Sequence, residues 1–140
     1  MLQHLFQPFK LRGLELKNRF VMAPMTRSFS PNGVPGADVA AYYQRRAEAG
    51  VGLILSEGTV IDRPASSNDP DVPHFHGEAA LSRWKQVINA VHAAGGKMGP
   101  QLWHMGVMPA VNMRDDWKPP VPFEGPSDRV NAEKTNGRAM

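Results

Sequence analysis

Threonine, glycine, glutamine, tryptophan and histidine stand where three apolar runs give way to polar residues. The first run ends Pro24-Met25-Thr26-Arg27, the second Ser56-Glu57-Gly58-Thr59, and the third Gln101-Leu102-Trp103-His104. If these runs are neighbouring strands, a hydroxyl, an amide, an indole, an imidazole and a close-approach glycine share one rim. Such a set suits a flat ligand rich in heteroatoms better than a bare phosphate. A glutamine amide donates and accepts at once, which matches a pyrimidine-like edge. Taken singly, each residue also reads as a strand cap bonded to backbone. The joint placement on three successive exits is what points to a ligand.

The elements that must position these residues follow from the pattern. "PFKLRGLEL" (residues 8–16) alternates around Arg12-Gly13, a hairpin signal. A strand is expected from Phe20 to Ala23, stopped at Pro24 because proline has no N–H for the ladder. "FSPNGVPGA" is a loop. In "DVAAYYQRRAEAG", Asp38 is placed as N-cap and Val39, Tyr43 and Ala47 recur at helical spacing, with Gly50 as the left-handed stop. "VGLILSEG" is a continuous apolar run suited to a strand buried on both faces. A loop over 62–79 leads to a second helix, "LSRWKQVINAVHAAGG", with Leu81, Trp84, Ile88 and Val91 on its inner stripe. "KMGPQLWH" is the third strand, distorted at Pro100. Strands alternating with helices imply parallel strands joined by crossovers, an α/β fold. Residues 105–140 hold Pro109, Pro119, Pro120, Pro122 and Pro126 and read as a long loop or tail.

Composition bounds the rest. The chain has 140 residues, 41% hydrophobic and 21% charged, enough for one core of modest size. It has no cysteine, which excludes disulfides and thiolate metal sites. A net charge of +3 is spread along the chain, with no run of Lys and Arg of the kind that grips nucleic acid. No apolar run nears the ~20 residues that span a bilayer. The N-terminus lacks a signal-peptide pattern, so the default compartment is the cytoplasm.

"LKNRFVMAPMTRS", "AAYYQRRAEAGVGLILSEGTVI" and "GPQLWHMG" together resemble the Old Yellow Enzyme family of NADH:flavin oxidoreductases, over residues 3 to 108. The resemblance implies a (β/α)8 TIM barrel with a hairpin closing its base and FMN across its C-terminal face. Residues 1–140 would then be the N-terminal portion of one barrel domain: a hairpin, about three strands and two helices, incomplete alone. By position, the Pro24 and Met25 backbone would line the flavin ring. The Thr26 hydroxyl would bond the carbonyl beside N5, Gly58 would let backbone approach the ring, and Gln101 would grip the pyrimidine edge. Trp103 reads equally as the wall of the substrate pocket and as a core anchor of the third strand. His104 reads as a neutral strand-end histidine bonded to backbone, and Arg27 as a brace. Two positions depart from the family pattern: Val107 stands where arginine is frequent, and Asn68 where a substrate-side tyrosine is common.

The implied activity is hydride passage from NADH or NADPH through FMN to an activated alkene. The family's residues that polarise the substrate, donate the proton, neighbour flavin N1 and hold the FMN phosphate lie on later strands. None is assigned within residues 1–140, so the rest of the barrel would come from a longer chain or another polypeptide. The alternative is a non-catalytic fragment or interaction module completed by another chain. A metal-assisted lyase finds little support, since Glu57 is the sole carboxylate at the strand exits. "HFHGE" (His74, His76, Glu78) reads as solvated loop histidines, because a metal needs three or four converging ligands. Asp69 and Asp71 read as an acidic loop and Asp115-Asp116-Trp117 as loop.

Overall fold

The computed structural model describes residues 2–108, 115–118, 122–125 and 137–139. Strands β1 (Phe9–Leu11) and β2 (Leu14–Leu16) pair antiparallel with Leu11 opposite Leu14, so Arg12-Gly13 is the whole connection. Arg12 supplies the positive φ, 51°, that so tight a reversal requires.

A parallel sheet follows in the order β3 (Val21–Met22), β4 (Leu53–Val60), β5 (Lys97–Trp103). Helices α1 (Ala37–Glu48) and α2 (Glu78–Ala93) are the crossovers. Strand β3 is shorter than the expected Phe20 to Ala23. It pairs with β4 only at Val21–Leu53 and Met22–Ile54, because the Pro24 ring ends the ladder and restricts the residue before it.

The expected face of α1 is the buried one: Val39, Tyr43 and Ala47 are fully enclosed. Asp38 is not the N-cap. Gly36 holds that position, and Asp38 lies inside the first turn, where a carboxylate complements the helix dipole. Gly50 and Gly95 take positive φ, 99° and 74°, just past the two helices. The stripe of α2 is rotated from the expected one. The helix begins at Glu78, three residues early, and buries Ala80, Trp84, Val87 and Val91. Leu81 is 44% exposed.

One apolar cluster joins these pieces: Val39, Tyr43 and Ala47 of α1, Ile54 of β4, and Trp84, Val87 and Val91 of α2, with Met22 and Met98 packed on it. Met22, Ile54 and Met98 are register partners, so alternation turns Val21 and Leu53 to the opposite face. Val21 is 52% exposed there. Helices on one face only fit a barrel, whose other face is its interior, better than a doubly wound sheet covered on both.

Beyond β5, two short strands, β6 (Phe123–Gly125) and β7 (Gly137–Ala139), pair parallel within the stretch expected as loop. Pro109, Pro119, Pro120 and Pro126 lie outside the described residues. Among the described residues, no helix is long and apolar enough to cross a membrane.

The loop after β4 returns along it. The Val60 N–H donates to the Pro73 carbonyl and the Val60 carbonyl accepts from the Phe75 N–H, and His74 packs on Gly33 with its ring stacked on His76 at 4.7 Å. Partial burial, then the neighbouring His76, push the His74 imidazole below its ordinary 6.5. The fold therefore favours the neutral form of His74. Stability from this group is complete above the unfolded value of 6.5 and is lost as pH falls from there through the lower folded value. In pH-dependent denaturant titrations of the full-length protein, His74→Gln should flatten that acid limb. An unchanged limb would show that protonation elsewhere sets it.

Candidate functional site

Because β3, β4 and β5 run parallel, their carboxyl ends form one edge, where ligands gather in such sheets. What aligns the exits is an irregularity in the β4–β5 ladder. Leu55 pairs with Gly99, and the next pair is Gly58 with Gln101. Two residues, Ser56 and Glu57, thus oppose one, Pro100, which is a bulge. Pro100 offers no N–H, and the expected distortion is located there.

Side chains replace the missing ladder bonds. The Gln101 N–H donates to Ser56 Oγ at 3.1 Å, and Ser56 Oγ donates to the Glu57 carbonyl at 2.6 Å. Thr59 Oγ1 donates to the Gln101 carbonyl at 2.8 Å. The Gln101 backbone is fixed from both sides. Its half-buried side-chain amide makes no hydrogen bond among the described residues.

Thr26 stands opposite, on the exit of β3, and is exposed. Its Oγ1 faces the Gly58 N–H at 3.4 Å. A hydroxyl carries one proton and two lone pairs, so accepting from Gly58 leaves the proton available to an outside acceptor. Pro24 is half-buried beside it and Met25 is 50% exposed. Thr26, Gly58 and Gln101 therefore lie in a row across the exits of three adjacent strands.

Gly58 has a second neighbour. A Cβ there would sit 2.0 Å from Trp103 Cε3, so the Trp103 indole occupies the space a side chain would need. Close approach at Gly58 is thus made by tryptophan on this face. The indole is half-buried, and its Nε1 is enclosed without a hydrogen-bond partner among the described residues. Asn68 lies elsewhere in the assembly of loops, 4% exposed. The next residue, Asp69, accepts from the Ser28 hydroxyl at 2.7 Å and from the Asp71 N–H at 2.9 Å, tying the loop to the exit of β3.

Below the rim lies a buried ion pair that sequence reasoning did not assemble. Glu57, 0% exposed, accepts from Arg27 Nη2 at 2.7 Å, Arg27 Nε at 3.2 Å, the Arg27 backbone N–H at 3.3 Å and the Tyr43 hydroxyl at 3.3 Å. Tyr43 Oη in turn accepts the Glu57 N–H at 2.7 Å. Burial pushes the Tyr43 hydroxyl well above its ordinary pKa, which keeps it protonated as a donor. The Arg27 guanidinium also lies 3.7 Å over the Tyr42 ring. The signal in the sequence was a lone glutamate inside an apolar run, since a buried charge needs a partner. Both Glu57 oxygens are engaged by Arg27, with Tyr43 adding to Oε1, and among the described residues no metal-ligating cluster occurs.

His104 differs from expectation. Its Nε2 is 3.4 Å from Glu124 Oε2, a side-chain partner rather than backbone. Arg63 also binds Glu124, with Nε at 2.8 Å, and this hydrogen bonding holds the Glu124 carboxyl below the usual carboxylate range.

Residues 4–139 match the model of the NADH:flavin oxidoreductase / NADH oxidase family. 12-Oxophytodienoate reductase 7 of Oryza sativa subsp. japonica is 45% identical over 102 residues, 73% of this chain and 25% of that protein. Among solved structures, morphinone reductase superposes with a TM-score of 0.76 at 39% identity, over 94% of this chain and 33% of its own. The old yellow enzyme homologue from Zymomonas mobilis gives 0.68 at 38% identity, over 75% of this chain and 29% of its own. The chain spans about a quarter to a third of the length of these relatives.

Proposed function

The chain belongs to the NADH:flavin oxidoreductase / NADH oxidase family as the N-terminal part of its TIM barrel, and we propose that its three strand exits seat the ring of FMN in an ene reductase. The observation that carries this reading is the row Thr26, Gly58, Gln101: a hydroxyl proton and an unpaired amide on either side of the middle strand, on one edge. These groups fit the flavin. The Thr26 hydroxyl donates to the carbonyl beside N5, where a donor favours the charge that reduction brings. The Gln101 amide meets the pyrimidine edge with donor and acceptor together. The Pro24 and Met25 backbone lines the ring, and Trp103 walls the space beside it. Bound FMN would supply hydride chemistry, taking hydride from NADH or NADPH and giving it to the β-carbon of an activated alkene. Asn68 in place of a substrate-side tyrosine bears on which alkene is accepted, not on flavin binding.

Three measurements on the full-length protein check this. Purified with excess FMN, it should be yellow; a colourless, unbound protein contradicts the reading. Thr26→Ala should retain FMN, lower its reduction potential and slow hydride uptake, and an unchanged potential refutes the role. Gln101→Ala should weaken FMN binding by about 1–2 kcal/mol, the loss of paired hydrogen bonds, or about fivefold to thirtyfold in Kd. Wild-type affinity in that variant places the pyrimidine edge elsewhere.

The second reading, an interaction module completed by another polypeptide, draws on the open sheet. Among the described residues, β3 and β5 each pair only with β4, and Leu102 of β5 is 64% exposed. Unpaired edges and uncovered apolar surface favour association. The isolated 140-residue chain should therefore sediment as aggregates or oligomers. A stable 15.4 kDa monomer with cooperative unfolding would count against this.

A further inference from the structure

We propose that Glu57 is a positioning residue for the flavin-facing hydroxyl: its carboxylate holds the Thr26–Arg27 peptide, and so fixes where Thr26 Oγ1 stands. The inference rests on the reading of Thr26 as a flavin donor.

The geometry gives three links. Strand β3 ends at Met22, and among the described residues its continuation through Pro24 to Thr26 has no ladder partner to set its path. The Arg27 N–H belongs to the peptide that joins Thr26 to Arg27, and it donates to Glu57 Oε2 at 3.3 Å. The Arg27 guanidinium holds the other oxygen, Oε1, at 2.7 Å. A carboxylate has about four acceptor sites. Here four donors converge on it, three at Oε1 (Arg27 Nε and Nη2 and the Tyr43 hydroxyl) and the Arg27 backbone N–H at Oε2. The carboxylate is anchored in turn: its own backbone N–H is bonded to Tyr43 Oη at 2.7 Å, on a strand bulged opposite Pro100.

The bulge thus serves both flanks at once. Ser56 holds the Gln101 backbone on one side, Glu57 holds the Thr26–Arg27 peptide on the other, and Gly58 between them donates to Thr26 Oγ1. Bulges re-aim side chains beside active sites. Without the bulge, the alternation of β4 would turn residue 57 to the other face, away from the side on which Tyr43 holds it. A small shift of the peptide is enough to matter, since a hydrogen bond weakens steeply as its angle opens.

The test uses the full-length, FMN-loaded protein and reads the flavin midpoint potential; loss of the Glu57 charge beside Arg27 would by itself raise that potential, so a fall reports the displaced Thr26 donor. Glu57→Gln keeps volume but replaces one acceptor oxygen with an NH2 that faces donors. It should lower the potential by at least half the drop seen in Thr26→Ala. The double variant Thr26→Ala/Glu57→Gln should drop no further than Thr26→Ala alone. A folded, yellow Glu57→Gln protein with unchanged potential overturns the inference, as does a double variant whose drop is the sum of the two. If Thr26→Ala alone leaves the potential unchanged, the underlying flavin assignment of Thr26 has failed instead. Should Glu57→Gln not fold, Tyr43→Phe removes one donor to the carboxylate and one acceptor from the Glu57 N–H while leaving Arg27 in place. It should give a smaller shift of the same sign, and no shift overturns the inference.

Discussion

Glu57→Ala should lower the unfolding free energy of the full-length protein by about 3–5 kcal/mol, the cost of stranding one member of a buried ion pair. The Glu57 side chain is 0% exposed and Arg27 is 15% exposed. Neither charge has much water to fall back on once its partner is gone. Such a loss approaches half the stability of an ordinary domain, so the variant should be poorly folded near its working temperature. The pair's net worth is a separate quantity, because desolvation offsets most of the attraction. Arg27→Met/Glu57→Leu should therefore recover much of the deficit of a Glu57 single variant, and chemical denaturation of Arg27→Met, Glu57→Leu and the double completes the cycle. A cost below about 1 kcal/mol for Glu57→Ala would place the pair in the class of surface bridges. Arg63, which binds Glu124 with 51% of its side chain exposed, supplies the internal contrast: Arg63→Ala should leave the unfolding midpoint nearly where it was.

Gly58→Ala is the second large effect. The added Cβ would lie 2.0 Å from Trp103 Cε3 and 2.6 Å from Cδ2 and Cζ3. The obstacle is a rigid two-ring system one strand away, not the tip of a flexible chain. Either the indole leaves its rotamer or β4 and β5 part, and overpacking of this kind costs about 1–3 kcal/mol. The damage extends to the rim, since Gly58 also donates to Thr26 Oγ1 and pairs with Gln101. FMN affinity should fall together with stability. Gly58→Ala/Trp103→Ala should regain FMN binding by emptying the space the new methyl needs. If the double variant binds FMN no better than Gly58→Ala, the tryptophan is not the obstacle.

Much of this arrangement was legible from residue order. The hairpin followed from Arg12-Gly13, and the inner face of α1 followed from the spacing of Val39, Tyr43 and Ala47. The distortion at Pro100 was readable because a proline cannot serve a ladder from both sides. The stripe of α2 was misplaced by one position at two of its four members, because Leu81 and Ile88 fall at helical spacing from Trp84 and Val91 as well as the buried Ala80 and Val87 do. The Arg27–Glu57–Tyr43 group was not legible for a different reason. A glutamate in an apolar run announces a buried charge, but which of 16 Lys and Arg answers it depends on strand register. Gly58 shows the same limit. A glycine at a strand exit promises close approach, while only the packing of β5 shows that Trp103 is what approaches. His104 drew its partner, Glu124, from a stretch whose two short strands left no periodic trace.

The arrangement of Thr26 and Gln101 about one ring is tested most directly by the nuclear magnetic resonance of isotope-labelled FMN in the full-length protein. Thr26→Ala should move the resonance of C4, whose carbonyl neighbours N5, and leave N3 in place. Gln101→Ala should do the reverse. If both variants bind the labelled cofactor with wild-type C4 and N3 resonances, the ring is seated elsewhere and the three strand exits do not hold it.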